Sequence, residues 1–362
     1  MIKTINVDLK ENSYPIQIGT GNINDIGAYL KSYIQPTKVL IVTDTFVKDC
    51  FAPTVRESLQ GSGFDVSLVD VPVGESSKSL DQFARIQDSL VTHQLDRRSV
   101  LVALGGGVVG DLGGFAAAVY MRGISYVQIP TTLQAQVDAS VGGKTAINHQ
   151  KGKNLIGAFH QPKLVLIDVN TLSTLPHSDL RSGLIEVIKM GVIRDELLFE
   201  MVENNLDAIL HLDAKTLIEL IARACANKAE IVAKDEKESG LRMVLNYGHT
   251  FGHALEALTH YKVYRHGEAV SIGMHCAARL AVNIGMFSET DYERQKVLLQ
   301  RTKLPITLPQ NLSPEAICDA MSLDKKTVDG KLRLILPTRI GEVVIRDDVS
   351  ETYIMEAISQ CY

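Results

Sequence analysis

Three histidines, His249, His253 and His266, fall in a glycine-rich stretch that reads Asn246-Tyr247-Gly248-His249-Thr250-Phe251-Gly252-His253 and then His266-Gly267-Glu268. His249 and His253 are i and i+4, so on a helix they share one face. With a third imidazole from a following loop, such a pair can converge on a divalent cation. A helix here would also bury Leu245, Phe251, Ala254, Leu255 and Leu258, which makes core histidines or a surface pair the competing explanation. The glycines and an acidic partner elsewhere in the chain favour metal or substrate binding. That partner is Glu186, in Gly183-Leu184-Ile185-Glu186-Val187-Ile188-Lys189-Met190. Glu186 and Lys189 have the i,i+3 spacing of a surface ion pair, yet this helix has almost no polar face. A buried carboxylate needs a cation.

A second chemical signal lies at Gly105-Gly106-Gly107-Val108-Val109-Gly110-Asp111, which follows an apolar run and contains G-x-G-x-x-G. Glycines there let the backbone approach a pyrophosphate at a helix N-terminus. The acidic residue expected about twenty positions later is missing, because Pro130-Thr131-Thr132 stands in that place. Asp44 can take the ribose role if its strand lies beside this one. Tight helix–sheet packing alone would also explain the glycines. Lysines beside glycine-rich backbone follow in Val141-Gly142-Gly143-Lys144-Thr145 and Lys151-Gly152-Lys153-Asn154. Lys144, between Gly-Gly and an apolar stretch, is suited to phosphate or carboxylate oxygens, whereas Lys151 reads as a solvated surface charge.

The elements that must position these groups change character near residue 175. Before it, buried strands are expected at 38–43, 100–104, 126–130 and 164–168, with helical spacing at 80–90 between them. Alternation of this kind implies a largely parallel sheet covered by helices. Beyond Pro176 helix follows helix, at 178–193, 195–210, 214–234, 245–258 and 268–284. The predicted architecture is an α/β, Rossmann-like nucleotide-binding domain over 1–175, followed by a mainly α-helical domain over 176–362 that binds metal and substrate.

Composition excludes several classes. With 362 residues, 45% hydrophobic and 22% charged, the chain is an ordinary globular sequence, and its net charge of -5 gives no support for nucleic-acid binding. Cys50, Cys225, Cys276, Cys318 and Cys361 are scattered and odd in number, which points to a reducing cytoplasm. The N-terminus alternates like a strand and has no signal-peptide core. The longest apolar region, 100–121, is broken by Asp111 and by glycines, so no membrane span is expected.

Taken in order, the motifs resemble one family, the 3-dehydroquinate synthases. They are Pro72-Val73-Gly74-Glu75-Ser76-Ser77-Lys78, the turn from Gly105 to Asp111, Pro130-Thr131-Thr132, and Val141 to Thr145. The series continues through Gly152-Lys153-Asn154-Leu155-Ile156-Gly157, Gly183 to Lys189, Asn246 to His253, and Leu323-Asp324-Lys325-Lys326. The resemblance implies NAD and one divalent metal, zinc or alternatively cobalt. It also implies conversion of 3-deoxy-D-arabino-heptulosonate 7-phosphate to 3-dehydroquinate and phosphate. By this likeness the metal ligands are Glu186, His249 and His266, and His253 turns from ligand to substrate contact. Lys144, Asn154, Lys189 and His253 match catalytic positions, while Arg122, Asp138, Lys228, Arg242, Asn246 and one of Lys325 or Lys326 match substrate contacts. NAD contacts match Asp44, Glu75, Lys78, Gly105, Gly106, Gly107, Val108, Val109, Gly110, Asp111, Thr131, Thr132, Lys144, Lys153, Thr171, Leu172, Ser173 and Thr174. Ala139 departs from the family, in which serine is common beside the aspartate. A homodimer is implied, with Arg122 reaching the neighbouring subunit's site. Related sugar-phosphate cyclases and metal-dependent polyol dehydrogenases are the alternatives.

Overall fold

The computed structural model describes residues 2–322 and 332–362. They divide into two compact units, Met1–Leu175 with Leu212–Lys237, and Pro176–His211 with Glu238–Tyr362. The first unit is built on β1 (Lys3–Val7), β2 (Tyr14–Gly19), β3 (Lys38–Asp44), β4 (Asp65–Val71), β5 (Val100–Gly105), β6 (Ser125–Pro130) and, after the hairpin of β7 (Lys144–His149) and β8 (Gly152–Phe159), β9 (Leu164–Asp168). The seven-stranded sheet has the order β1-β2-β9-β6-β5-β3-β4 and is parallel except for the β1–β2 pair. Helices α1 (Ile26–Tyr33), α2 (Thr45–Gly61), α3 (Leu80–Thr92) and α4 (Gly107–Val119) connect its strands.

Both faces of this sheet are covered, which is why its strands are continuous apolar runs rather than alternating ones. Successive side chains point to opposite faces. In β3, Val39 and Ile41 join the core that includes Leu30, Val55 and Leu59, while Leu40 and Val42 join the core with Ile86, Leu112 and Phe115.

The expected single boundary at 175 differs from the fold. Helix α7 (Ala214–Lys234) lies in the first unit, packed against β1 and β2, and Lys3 pairs with Glu219. Its buried Leu217, Leu220, Ile221, Ala224 and Cys225 form a stripe that needs an apolar partner, and the antiparallel end of the sheet provides one.

The second unit contains α5 (His177–Arg194), α6 (Glu196–Leu210), α8 (His249–Leu258), α9 (His266–Asn283), α10 (Glu289–Arg301), α11 (Pro314–Ser322) and α12 (Glu351–Ser359), with the hairpin β10 (Leu334–Arg339) and β11 (Glu342–Arg346). Two boundaries differ from the spacing argument. Residues Leu241–Asn246 form a 3-10 turn, so α8 starts at His249 behind a left-handed Gly248. His266 is the first residue of α9 and not part of a loop.

Candidate active site

Glu186, His249 and His266 come from α5, α8 and α9, and the close approach of these helices is a glycine effect. A Cβ on Gly273 would lie 2.0 Å from the Gly248 carbonyl oxygen, and one on Gly267 would lie 2.2 Å from that of Ser182. Gly248 itself has φ +77, a backbone region unfavourable to other residues. Helix α9 can therefore sit backbone-to-backbone on α8 at one level and on α5 at another. Ser182 Oγ accepts a hydrogen bond from Gly267 N at 3.0 Å, which holds the start of α9 in place.

At that crossing the three candidate ligands point at one another. Glu186 Oε1 is 3.8 Å from His249 Nε2 and 3.6 Å from His266 Nε2. Both separations are too long for hydrogen bonds. They are near the roughly 3.3 Å expected between tetrahedral ligands about 2 Å from a zinc ion. Glu186 Oε1 is buried and accepts no hydrogen bond, while Oε2 is paired with the buried Lys189 ammonium. A buried carboxylate oxygen aimed at two imidazole nitrogens is poorly satisfied without a cation, so the donor set fits a divalent metal.

Tautomers support the same fit. His249 Nδ1 lies 3.1 Å from the Tyr247 carbonyl, which can only accept, so Nδ1 carries the hydrogen and Nε2 carries the lone pair. Burial pushes Glu186 up, but Lys189 and His266 outweigh it and hold the carboxyl well below the usual range. Burial pushes His266 down, and the flanking carboxylates of Glu186 and Glu256 overturn that, raising it to about 10. Ligation needs this imidazole neutral, so a cation and a proton compete for it. His253 lies edge-on to His249 with ring centroids 5.4 Å apart and 6.2 Å from the His266 ring, and it belongs with Glu256 and His266 to a second potential ligand group. Sequence reading passes over Glu256, although its place seven residues after His249 was a helical signal for the same face.

Arg242 is fully buried in the 3-10 turn. Asn246 Nδ2 donates to Glu238 Oε1 and to the Met243 carbonyl, both at 3.2 Å. Lys325 and Lys326 lie outside the described residues.

The candidate NAD residues gather along the carboxyl edge of the sheet in the first unit. Asp44 ends β3, Gly105 ends β5, Thr131 and Thr132 follow β6, and Glu75 and Lys78 lie after β4. Thr171, Leu172, Ser173 and Thr174 sit in the 3-10 turn after β9. From β3 the chain goes to β4 on one side and then crosses back past β3 to β5 on the other, so the strand order reverses there. That is the crevice where open α/β sheets bind nucleotides. β3 and β5 are adjacent, with Thr43 opposite Leu104, which sets Asp44 beside the Gly105–Gly106 turn.

Helix α4 starts at Gly107 without a side-chain cap, leaving its first N–H groups to meet an anion. A Cβ on Gly106 would reach Thr132 Cγ2 at 3.0 Å, and one on Gly107 would reach Ala139 Cβ at 3.3 Å. Gly110 serves packing, because a Cβ there would meet Gln128 Oε1 at 2.7 Å. Val109 is buried in the core and Val108 is half-buried. One oxygen of Asp44 caps α2 by accepting from Phe46 N and Val47 N at 2.9 Å. The cradle fits a dinucleotide.

Beside it is a polar network. The buried Lys78 ammonium donates to Asp111 Oδ2 at 2.5 Å and to Asn154 Oδ1, and Asn148 Nδ2 donates to Glu75 Oε1 at 2.8 Å. Asn154 holds a left-handed φ of 56, a strained position of the kind found at functional sites. Lys228 donates to both the carbonyl and Oδ1 of Asp138 at 2.6 Å. Lys144 is exposed at the start of β7, and Lys153 is half-buried on β8. Arg122 is exposed, with φ 66 next to Met121 at φ 52.

Comparison with known proteins decides the family. Models described as 3-dehydroquinate synthase N-terminal and C-terminal match residues 68–182 and 183–327. The chain belongs to the 3-dehydroquinate synthase family. A 3-dehydroquinate synthase of Desulforamulus reducens is 52% identical over 99% of both chains. Among solved structures, the 2-epi-5-epi-valiolone synthase ValA of Streptomyces hygroscopicus, with NAD+ and Zn2+ bound, superposes with a TM-score of 0.89 at 29% identity over 98% of each chain. A 2-deoxy-scyllo-inosose synthase complexed with carbaglucose-6-phosphate, NAD+ and Co2+ gives 0.90 at 26% identity over 99% of this chain and 100% of the other. Identity is thus far higher to the 3-dehydroquinate synthase than to two cyclases of nearly the same fold. Among the described residues no helix is long and apolar enough to cross a membrane.

Proposed function

We propose that the chain is a 3-dehydroquinate synthase, converting 3-deoxy-D-arabino-heptulosonate 7-phosphate to 3-dehydroquinate and inorganic phosphate. The observation that carries this reading is the meeting of Glu186, His249 and His266 in a chain 52% identical to such an enzyme. When bound, NAD takes and returns a hydride at one carbinol, and a divalent cation, zinc or cobalt, polarises that carbinol's oxygen.

Glu186, His249 and His266 hold the cation, and Lys189 keeps Glu186 ionised. Asp44, Glu75, Lys78, the turn from Gly105 to Asp111, Thr131, Thr132, Lys144, Lys153 and the turn from Thr171 to Thr174 hold the dinucleotide. Arg122, Asp138, Lys228, Arg242, Asn246 and one of Lys325 or Lys326 bind the substrate's anionic and hydroxyl groups. Lys144, Asn154, Lys189 and His253 orient the reacting carbons, which is a positioning effect. No protein base is assigned to the proton lost with phosphate, since the leaving phosphate can take it. Nucleotide contacts belong to domain 1–175, now joined by 212–237, and metal contacts to the remainder of 176–362. The protein acts as a homodimer in which Arg122 reaches the neighbouring subunit's site, supported by its exposed side chain on a left-handed turn. Five free cysteines support a reducing cytoplasm.

Phosphate release from the heptulosonate phosphate tests the reading. Release should stop with a chelator, return with zinc or cobalt, and leave no net NADH. Turnover only of phosphorylated sugars without a carboxylate would assign another cyclase activity. Stoichiometric NADH from an unphosphorylated polyol would assign a dehydrogenase.

A further inference from the structure

We propose that Glu256 is a positioning residue for the metal centre, holding His266 by its Nδ1 so that Nε2 faces Glu186 and His249. This rests on the reading of Glu186, His249 and His266 as metal ligands. Glu256 is 3% exposed, and its Oε2 lies 3.5 Å from His266 Nδ1. It occupies the same helix as His249, seven residues on, so both act on His266 from the α8 side.

The two imidazole ligands are supported differently. His249 Nδ1 donates to a neutral backbone carbonyl, Tyr247 O, whereas His266 Nδ1 faces a buried carboxylate. A carboxylate behind a ligating histidine fixes the tautomer and makes the imidazole a stronger donor. The asymmetry has a local reason. His266 begins α9 and is partly exposed, so it lacks the enclosure that orients His249. The ring nitrogens lie on opposite sides of the imidazole. With Nε2 turned to Glu186, Glu256 stands on the far side of the ring and is not itself a ligand of the same ion. Its negative charge also opposes the combined positive charge of the cation and the neighbouring Lys189.

Zinc affinity provides the test, measured by competition with a chromophoric chelator on the full-length chain together with thermal unfolding of the metal-free protein. Glu256→Ala should weaken zinc binding about 10- to 100-fold. Glu256→Gln should lose less, because its amide oxygen can still face Nδ1 as an acceptor. Cobalt-saturated Glu256→Gln should keep the visible spectrum of the parent, as the three ligands are unchanged. Zinc affinity of Glu256→Gln and Glu256→Ala both within twofold of the parent overturns the proposal, as does a changed cobalt coordination number in the Gln variant. If the Ala variant does not fold, the Gln variant alone decides by affinity and spectrum. Loss of zinc in Glu186→Ala alongside unaffected Glu256 variants rejects only the positioning role. A parent chain that binds no zinc rejects the metal reading and this inference together.

Discussion

Replacing Gly273 by alanine should separate α8 from α9 and dismantle the metal centre without touching a ligand. The new Cβ would lie 2.0 Å from Gly248 O and 2.9 Å from Gly252 N. Ordinary van der Waals contact begins near 3.4 Å, so the helices must part by about 1.4 Å. Two effects oppose each other. Alanine in a helix interior gains about 1 kcal/mol over glycine, while overpacking a core costs about 1–3 kcal/mol, and occasionally more. Because the clash is with backbone and cannot be relieved by a rotamer change, the upper end applies and the net loss should be about 2 kcal/mol. The shift also far exceeds the roughly 0.2 Å tolerance of metal–ligand distances, so zinc affinity should collapse. Urea unfolding and chelator competition on Gly273→Ala read both quantities. Gly61→Ala, where a Cβ meets nothing within 4 Å, serves as the control and should be neutral or slightly stabilising. A Gly273→Ala protein as stable as the parent that still binds zinc equally well would refute the close-approach argument.

Glu186→Gln should abolish zinc binding and turnover while leaving NAD affinity within twofold by calorimetry. It leaves the buried Lys189 without its carboxylate, a loss of about 3–5 kcal/mol that urea unfolding would register. Lys78→Met breaks the contact with Asp111 and should weaken NAD binding at least tenfold with little change in zinc affinity; equal loss of both would contradict the separate assignment. His160 is held below its ordinary pKa, chiefly by burial, with its Nε2 hydrogen-bonded to Ile124 O at 2.8 Å. A depressed histidine stabilises the fold above its unfolded value of 6.5, and that stability is lost as pH falls through the folded value. The parent should therefore lose more stability than His160→Phe as pH drops below 6.5, and parallel pH curves for the two would show that this ring contributes no slope.

How much of this was readable beforehand depends on the range of the interactions. β3 and β5 were legible because strands buried on both faces are unbroken apolar runs, and Gly105 to Asp111 was legible because its motif and the strand before it are contiguous. The exact ligand set around His249 was not. Glu186 stands out because its helix has almost no polar face, and His266 because it follows in the same glycine-rich stretch, but spacing pairs His249 with His253, one helical turn away, and only the resemblance takes His253 out of the ligands. Glu256 gives no signal of burial in the sequence, because a carboxylate on an amphipathic helix ordinarily reads as solvated and its burial depends on what packs over it. The spacing over 214–234 predicts helix α7, but its apolar stripe does not say which surface will cover it.

By itself, the sequence determined the local conformations, the reacting groups and the family, since backbone preference, side-chain periodicity and motif order are properties of neighbouring residues. Only the tertiary structure decided that α7 returns to the sheet, that His266 opens a helix, and that Glu256 stands behind His266. Those outcomes depend on contacts between separate elements, whether close in the chain, as for Glu256 and His266, or 216 positions apart, as for Lys3 and Glu219. At Gly248, Gly267 and Gly273 such contacts are set by how closely two backbones can approach, which periodicity along one helix does not encode.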